Sequence, residues 1–410
     1  MIRSITRRSL MIAALAGTVL AGGALANGAS AQETFKVGAI NPYSGPTALY
    51  GDEVTRGYEL AAHAINEKGG ILGRKVEIVR GNATSPQEGI AAIEQLAGRD
   101  NVDVFIGTYL SAVSQAASEA ALNYNKLYWD TNALAAGLTD RGLPNFVRSG
   151  PYSVSFADRS AEFVANLLAK ELGKQPSELT VWIEHEDSIY GTSIAERQKE
   201  ALEAAGVKVL GVGAHNFKAI DLTDSVLRAR DAKPDVWINT GYVPDGNLLL
   251  RTARDQGFKP AATVFVGTGD TKETLEALTE KGVEGLYVVS YPRPDISEEF
   301  GPGSAAYLDA YRKAYNQDPI APQSMAAFVG FKMMAEAVEA AKSADPAAVK
   351  AALAGFDKPE GSYETGFGVK YDDKAQNVRA FPTVIQWQSG KPITVYPVKA
   401  AGENKPLKIK

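Results

Sequence analysis

The 410-residue chain contains no cysteine and only three histidines. The first absence excludes disulfides, thiolate metal sites, a Cys nucleophile and lipid attachment through an N-terminal Cys. His63, His185 and His215 lie far apart in sequence, which argues against a histidine zinc site and a hydrolase triad. No G-x-S-x-G elbow and no G-x-x-x-x-G-K-[ST] loop occurs. Gly267-Thr268-Gly269-Asp270 approaches a dinucleotide fingerprint, but Lys272 stands where the third glycine would be. A surplus of basic charge is also missing: 43 Lys and Arg face 48 Asp and Glu, and a formal charge of −5 argues against a nucleic-acid surface. Asp372-Asp373 reads as a solvated turn rather than a catalytic dyad. With 39 Gly and 20 Pro the chain is near average usage, so collagen-like repeats and disorder are excluded. No cofactor or metal is implied.

What is present begins with the N-terminus. Arg3, Arg7 and Arg8 precede an apolar, small-residue run from Ile12 to about Ala26, and Ala29-Ser30-Ala31 supplies an A-x-A cleavage site. That layout is a secretory signal peptide, residues 1–31. The run holds Gly17, Gly22 and Gly23 and falls short of the roughly 20 apolar residues a membrane span needs. Thr6–Met11 also resembles a twin-arginine signal, so the export route stays open. Removing three arginines and no acids takes the formal charge from −5 to −8. The expectation is a soluble, acidic protein outside the cytoplasm.

At roughly 150 residues per domain the length favours two domains, and 45% hydrophobic residues suffice for large cores. Short apolar runs alternate with helical segments. Phe35–Ile40, Val76–Val79, Val102–Ile106 and Leu127–Trp129 read as strands, and Val54–Asn66, Pro86–Arg99 and Ser111–Asn125 as helices. The rhythm restarts at Phe146–Arg148 with a long helix Ser153–Leu172. It continues through strands near Leu179, Val207, Asp235, Thr263 and Leu286, then breaks at Tyr291-Pro292-Arg293-Pro294. Short strands at Gly366–Val369, Thr383–Gln388 and Ile393–Val398 close the chain. This predicts α/β architecture, two doubly wound lobes with a shared cleft at the strands' C-terminal edges.

The loops facing that cleft offer hydroxyls, amides and rings: Tyr43, Ser44 and Tyr50; Tyr109 and Ser111; Asn132; Tyr190; Tyr242; Asp270. Ser111 opens a helix whose free N–H groups favour an anion, and an acid among rings suits a cation. A small organic acid or zwitterion fits this set.

The stretch Lys36–Pro46 (KVGAINPYSGP), then Tyr50-Gly51, Ala64–Gly73 (AINEKGGILG), Ile106-Gly107, Ser114–Ser118, Tyr190-Gly191, Gly241-Tyr242 and Leu250–Arg254, resembles the periplasmic leucine/isoleucine/valine-binding protein family. These are soluble receptors of ATP-driven branched-chain amino-acid importers, and the likeness spans nearly the whole mature chain. It implies the type I periplasmic-binding-protein fold, with crossings near Ser149–Ser153, Val288–Tyr291 and Gly361–Gly366. Lobe 1 is then 32–150 plus 290–362, and lobe 2 is 151–289 plus 363–410. Carried over, the family's contacts fall on Tyr50, Ser111 (carboxylate), Tyr190 and Tyr242, with Asp270, after a one-residue shift, as the acid for the ammonium. Asn132 and Leu134 stand where amino-acid-binding members have a small residue and a threonine. Leu134 cannot hydrogen-bond, so a polar contact is lost. Tyr109, Trp129 and Tyr152 would supply rings for an aromatic ligand.

The resemblance implies a binding protein, not an enzyme. It would capture an amino acid or related small carboxylate by cleft closure and deliver it to a membrane permease, acting as a monomer. The alternatives are an aromatic acid, amide or urea-like solute in the same fold, or a sensory receptor domain.

Overall fold

The computed structural model describes residues 34–406; the signal-peptide reading of residues 1–31 lies outside them. Five strands form the first sheet: β1 (Phe35–Asn41), β2 (Val76–Asn82), β3 (Val104–Gly107), β4 (Tyr128–Asp130) and β5 (Phe146–Arg148). Their order is β2-β1-β3-β4-β5, parallel throughout. Parallel neighbours need crossover connections, and helices Ala48–Glu67, Pro86–Gly98 and Ser111–Leu122 supply them. β3 and β4 are buried along their whole length, which is why they read as unbroken apolar runs rather than alternating ones.

The second sheet is built from β6 (Thr180–Glu186), β7 (Lys208–His215), β8 (Val236–Thr240), β9 (Ala262–Val266) and β10 (Tyr287–Ser290). A two-stranded ribbon, β11 (Asp357–Lys358) with β12 (Val369–Lys370), precedes its last members, β13 (Thr383–Gln388) and β14 (Lys391–Tyr396). The order is β14-β13-β10-β9-β8-β6-β7, with β13 and β14 antiparallel at one edge. Among the described residues no helix is long and apolar enough to cross a membrane.

Three differences from the sequence reading bear on the site. Pro46 sits in a helical turn, Gly45–Thr47, that leads into a helix beginning at Ala48 rather than Val54. Tyr50 is therefore on a helix, not in the preceding loop. Ser188 caps helix Ile189–Ala204, its hydroxyl accepting from Tyr190 N–H at 3.3 Å, so Tyr190 is helical as well. The long helix from Ser153 has the expected extent but contains a wider π-type turn at Val164–Leu168.

The chain leaves the first sheet after Arg148 and the second after Ser290. The third passage does not fall at Gly361–Gly366. Phe367 and Val369 bury themselves with Val37, Val104 and Trp129 of the first sheet, and Phe381 packs there too. Only at Thr383 does pairing with β10 begin, so the passage is Phe381–Thr383. A continuous buried cluster runs from Phe105 and Tyr128 in the first half to Val181, Ile238 and Val264 in the second, and five of its seven buried tyrosines lie outside the strands: Tyr50, Tyr109, Tyr190, Tyr242 and Tyr291.

Candidate functional site

The five tyrosines mark the place where the C-terminal ends of both sheets meet. Beyond β3, Tyr109 precedes helix Ser111–Leu122. Its ring stacks on Tyr50 (centroids 4.3 Å apart, planes within 10°) and meets Tyr242 edge-on at 5.9 Å. Tyr242 in turn contacts Tyr190 at 5.2 Å and Phe217 at 4.9 Å. Offset and edge-to-face ring pairs of this kind each add about 0.5–1.5 kcal/mol beyond area burial.

Beyond β4 the segment 130–135 is fixed from three sides. Asp130 Oδ1 accepts from Ala133 N–H (3.0 Å), and Asp130 Oδ2 takes a short hydrogen bond from Ser114 Oγ. Ser111 Oγ accepts from the N–H groups of Leu134 and Ala135, both at 3.2 Å. Arg148, fully buried, donates to the carbonyls of Ala133 (3.0 Å) and Ala135 (2.8 Å), to Thr139 Oγ1 (3.0 Å) and to Gln376 Oε1 (2.5 Å). Asn132 is equally committed. Its Oδ1 accepts from Thr131 Oγ1 (2.6 Å), and its carbonyl accepts from Tyr291 Oη (2.7 Å).

On the other side, Tyr190 Oη donates to the Val266 carbonyl at 3.1 Å. Gly267 makes room for it: a Cβ there would lie 2.1 Å from Tyr190 Oη, and its φ of +76° lies in the left-handed region that favours glycine. Tyr109, Asn132, Leu134, Tyr190, Tyr242, Gly267 and Tyr291 together line a cavity of about 10 Å³. That is room for about one water molecule, far below the roughly 300–1,000 Å³ of drug-sized sites. No acid and no base faces it among these residues.

Burial holds the phenols of Tyr50, Tyr109, Tyr190, Tyr242 and Tyr291 above their usual pKa, so all five stay neutral. Burial also pushes Asp130 up to about 7, with Arg148 pulling the other way, and lowers Arg148 to about 10. Behind Tyr242 lies a buried triad. Asp245 Oδ1 accepts from Tyr242 N–H (3.0 Å), while its Oδ2 takes His215 Nε2–H (2.9 Å) and His215 Nδ1 faces Glu184 Oε1 (3.2 Å). Burial alone would lower His215, but its bonds and charges with Asp245 and Glu184 outweigh that and raise it to about 9.

The residues expected from sequence thus take three positions. Tyr109, Asn132, Leu134, Tyr190 and Tyr242 line the cavity. Tyr50 stands behind Tyr109, its hydroxyl 3.5 Å from Thr268 Oγ1. Ser111 and Asp270 are buried outside the lining; Ser111 serves the 134–135 backbone, and Asp270 Oδ2 accepts from Ser290 Oγ at 2.7 Å. Tyr43 hydrogen-bonds Thr55 (2.7 Å), away from the cavity. Trp129 is a core residue against Tyr371, and Tyr152 lies under the Arg148 guanidinium. Tyr291, Gly267 and Arg148 were missed as site residues. Tyr291 reads as the end of a crossing and the start of a proline-rich break, Gly267 as a failed nucleotide motif, and a lone Arg on a strand carries no signal.

Residues 34–391 match the family model described as periplasmic binding protein. "Leu/Ile/Val-binding protein homolog 7" of Brucella suis is 36% identical over 372 residues, covering 90% of this chain and 93% of the relative. "Leu/Ile/Val-binding protein homolog 8" of Brucella abortus is 33% identical, covering 89% and 91%. Among solved structures, the branched-chain amino acid transporter substrate-binding protein LivJ from Streptococcus pneumoniae, in complex with isoleucine, superposes with a TM-score of 0.75 at 21% identity, covering 89% of this chain and all of that one. A solute-binding protein of an ABC transporter from R. palustris, in complex with 4-hydroxybenzoate, gives 0.75 at 22% identity, covering 88% and 95%. The fold is therefore that of the type I binding proteins, and the chain belongs to the periplasmic binding protein family, a family of solute binders and not of enzymes.

Proposed function

We propose that this protein captures a small organic carboxylate, the class that includes amino acids, in the tyrosine-lined cavity and delivers it to the permease of an ABC importer. The observation that carries this reading is the cavity itself. It draws Tyr109, Asn132 and Leu134 from the first half and Tyr190, Tyr242, Gly267 and Tyr291 from the second, so a bound solute would touch both. A hinge protein closes on its ligand by such two-sided contact, and the closed form is what a permease recognises. Export through the N-terminal signal, action as a monomer, and lobes divided at residues 148–153, 290–296 and 381–383 belong to the same reading.

The hydroxyls of Tyr109 and Tyr242 supply donors for a carboxylate, those of Tyr190 and Tyr291 being given to the Val266 and Asn132 carbonyls. The rings supply flat apolar surface for its body. A thermal-shift screen of protein unfolded and refolded to strip co-purified solute tests this, with amino acids, aryl carboxylates, amides and urea as the panel. A ligand at 100 times its Kd stabilises by about 2.7 kcal/mol, a visible shift in Tm. We expect a carboxylate to produce it; a shift with urea or amides alone, or with nothing, would overturn the reading.

A further inference from the structure

Resting on that reading, we infer that His215 is a positioning residue for solute capture: it works as a cation between Glu184 and Asp245, and through Asp245 it holds Tyr242 in the cavity wall. Tyr242 lines the cavity and joins β8 to helix Val243–Asp255. One carboxylate secures that junction. Asp245 Oδ1 accepts from Tyr242 N–H at 3.0 Å, and Asp245 Oδ2 stands 2.9 Å from His215 Nε2. Gly241 leaves no slack around it, since a Cβ there would lie 2.1 Å from the same Oδ2. A carboxylate that turns on losing His215 therefore loosens its hold on Tyr242, whose ring packs on Tyr109 and Tyr190.

The charge on the ring follows from the geometry. Both ring nitrogens of His215 face a carboxylate, Nδ1 at 3.2 Å from Glu184 Oε1 and Nε2 at 2.9 Å from Asp245 Oδ2. A neutral imidazole carries one N–H and would turn a lone pair on one of the two acids; only the imidazolium donates to both. The charged groups around the ring come from three elements. β6 supplies Glu184 and, opposite His215 in the strand register, Glu186, whose oxygens are taken by Ser188 and the Gly191 N–H. Helix Val243–Asp255 supplies Asp245, and helix Thr223–Ala232 supplies Arg228, half exposed and 3.9 Å from Glu184. Among these groups His215 is the one buried cation against three buried carboxylates, and a buried charge stripped of its partner is destabilising. The same contacts hold the His215 pKa up at about 9. Above that pH the ring gives up one of its two bonds and the wall loosens. Linkage makes the coupling reciprocal, so a solute that needs the wall in place holds the proton on His215 more tightly.

With three histidines in the chain, the His215 ring nitrogens can be followed by NMR in 15N-histidine-labelled protein and assigned by their loss in His215→Gln. Where that variant does not fold, His63→Gln and His185→Gln assign the ring by elimination. At pH 7.5, without solute, both nitrogens should carry a proton and titrate with a midpoint near 9; a neutral ring overturns the inference. Amide exchange supplies a second solute-free readout. Gly-Tyr occurs at 57–58 and 241–242, so 13C-glycine with 15N-tyrosine picks out the Tyr58 and Tyr242 amides. From pH 6.5 to pH 10 the protection of Tyr242 relative to Tyr58 should fall at least threefold along the His215 titration, global unfolding cancelling in the ratio. A constant ratio overturns the positioning role. Calorimetry with benzoate and L-leucine then reads capture itself. The affinity of a probe that binds should fall at least threefold over the same range relative to His215→Gln, a comparison that cancels the probe's own ionisation, and the probe should raise the His215 midpoint. An affinity that runs parallel in wild type and variant overturns the link to capture and leaves the carboxylate reading standing. Absence of binding by both probes counts against the carboxylate reading, while the two solute-free readouts decide on their own whether His215 holds Tyr242.

Discussion

Gly267 shows how narrow the tolerance is at single positions. Its backbone sits at a φ of +76°, and a Cβ would come 2.1 Å from the Tyr190 hydroxyl that bonds the Val266 carbonyl. Gly267→Ala should therefore cost about 1–3 kcal/mol from backbone strain and displace the Tyr190 ring from the cavity wall. We expect at least a tenfold loss of ligand affinity by calorimetry together with a lower Tm; unchanged affinity would mean that Tyr190 does not touch the solute. Arg148 works at the same scale without facing the cavity. Its guanidinium spans the carbonyls of Ala133 and Ala135, which flank Leu134, so the orientation of Leu134 depends on a charge that does not itself line the cavity. Residue types that follow strands, such as Tyr109, Asn132 and Tyr242, were readable because topology places such loops at the cleft. Tyr291 and Arg148 were not, since their roles come from partners distant in sequence: Tyr291 bonds Asn132 across 159 positions, and Arg148 bonds Gln376 across 228.

Among elements, the contact of β6, β7 and helix Val243–Asp255 is ionic. His215 at the end of β7 joins Glu184 on β6 to Asp245 in the first turn of that helix, and Arg228 reaches Glu184 at 3.9 Å. A histidine whose folded pKa is raised to about 9, against an ordinary 6.5, adds stability that is whole below pH 6.5. That contribution is lost as pH rises through about 9. Asp130, raised to about 7 by burial, gives a slope of the same sign between about pH 4 and 7. Urea unfolding should accordingly show lower stability at pH 9.5 than at pH 6.5. His215→Gln should flatten that difference; a slope unaltered by the variant would remove His215 as its source. Strand and helix positions were legible in the sequence because buried parallel strands are unbroken apolar runs. Their caps were less so: Ser188 and the Pro46 turn each extended a helix toward its N-terminus, carrying Tyr190 and Tyr50 out of their expected loops.

For the whole molecule, the passage after β5 is tied to a stretch more than 220 residues later. Asn377 Nδ2 donates to the carbonyls of Ser149 (3.0 Å) and Gly368 (3.1 Å), and its Oδ1 accepts from the N–H groups of Lys370 and Arg379, both at 3.1 Å. Asn377→Ala leaves those buried groups without partners and should cost about 2–3 kcal/mol in urea unfolding. A loss under about 0.5 kcal/mol would show that the stretch does not hold the passage. The misplacement of the third crossing has the same origin. Gly366–Val369 has strand-like composition, and nothing local reveals that Phe367 and Val369 bury against Trp129 of the first sheet. The stacked rings that join the two halves have one more consequence. Tyr50, Tyr109, Tyr190 and Tyr242 form a coupled set of chromophores at the cavity proposed to take the solute, whereas Trp129, Trp237 and Trp387 are buried in packing clusters elsewhere. The tyrosine bands of the near-ultraviolet circular dichroism spectrum therefore form a built-in optical gauge of the cleft, readable without any label.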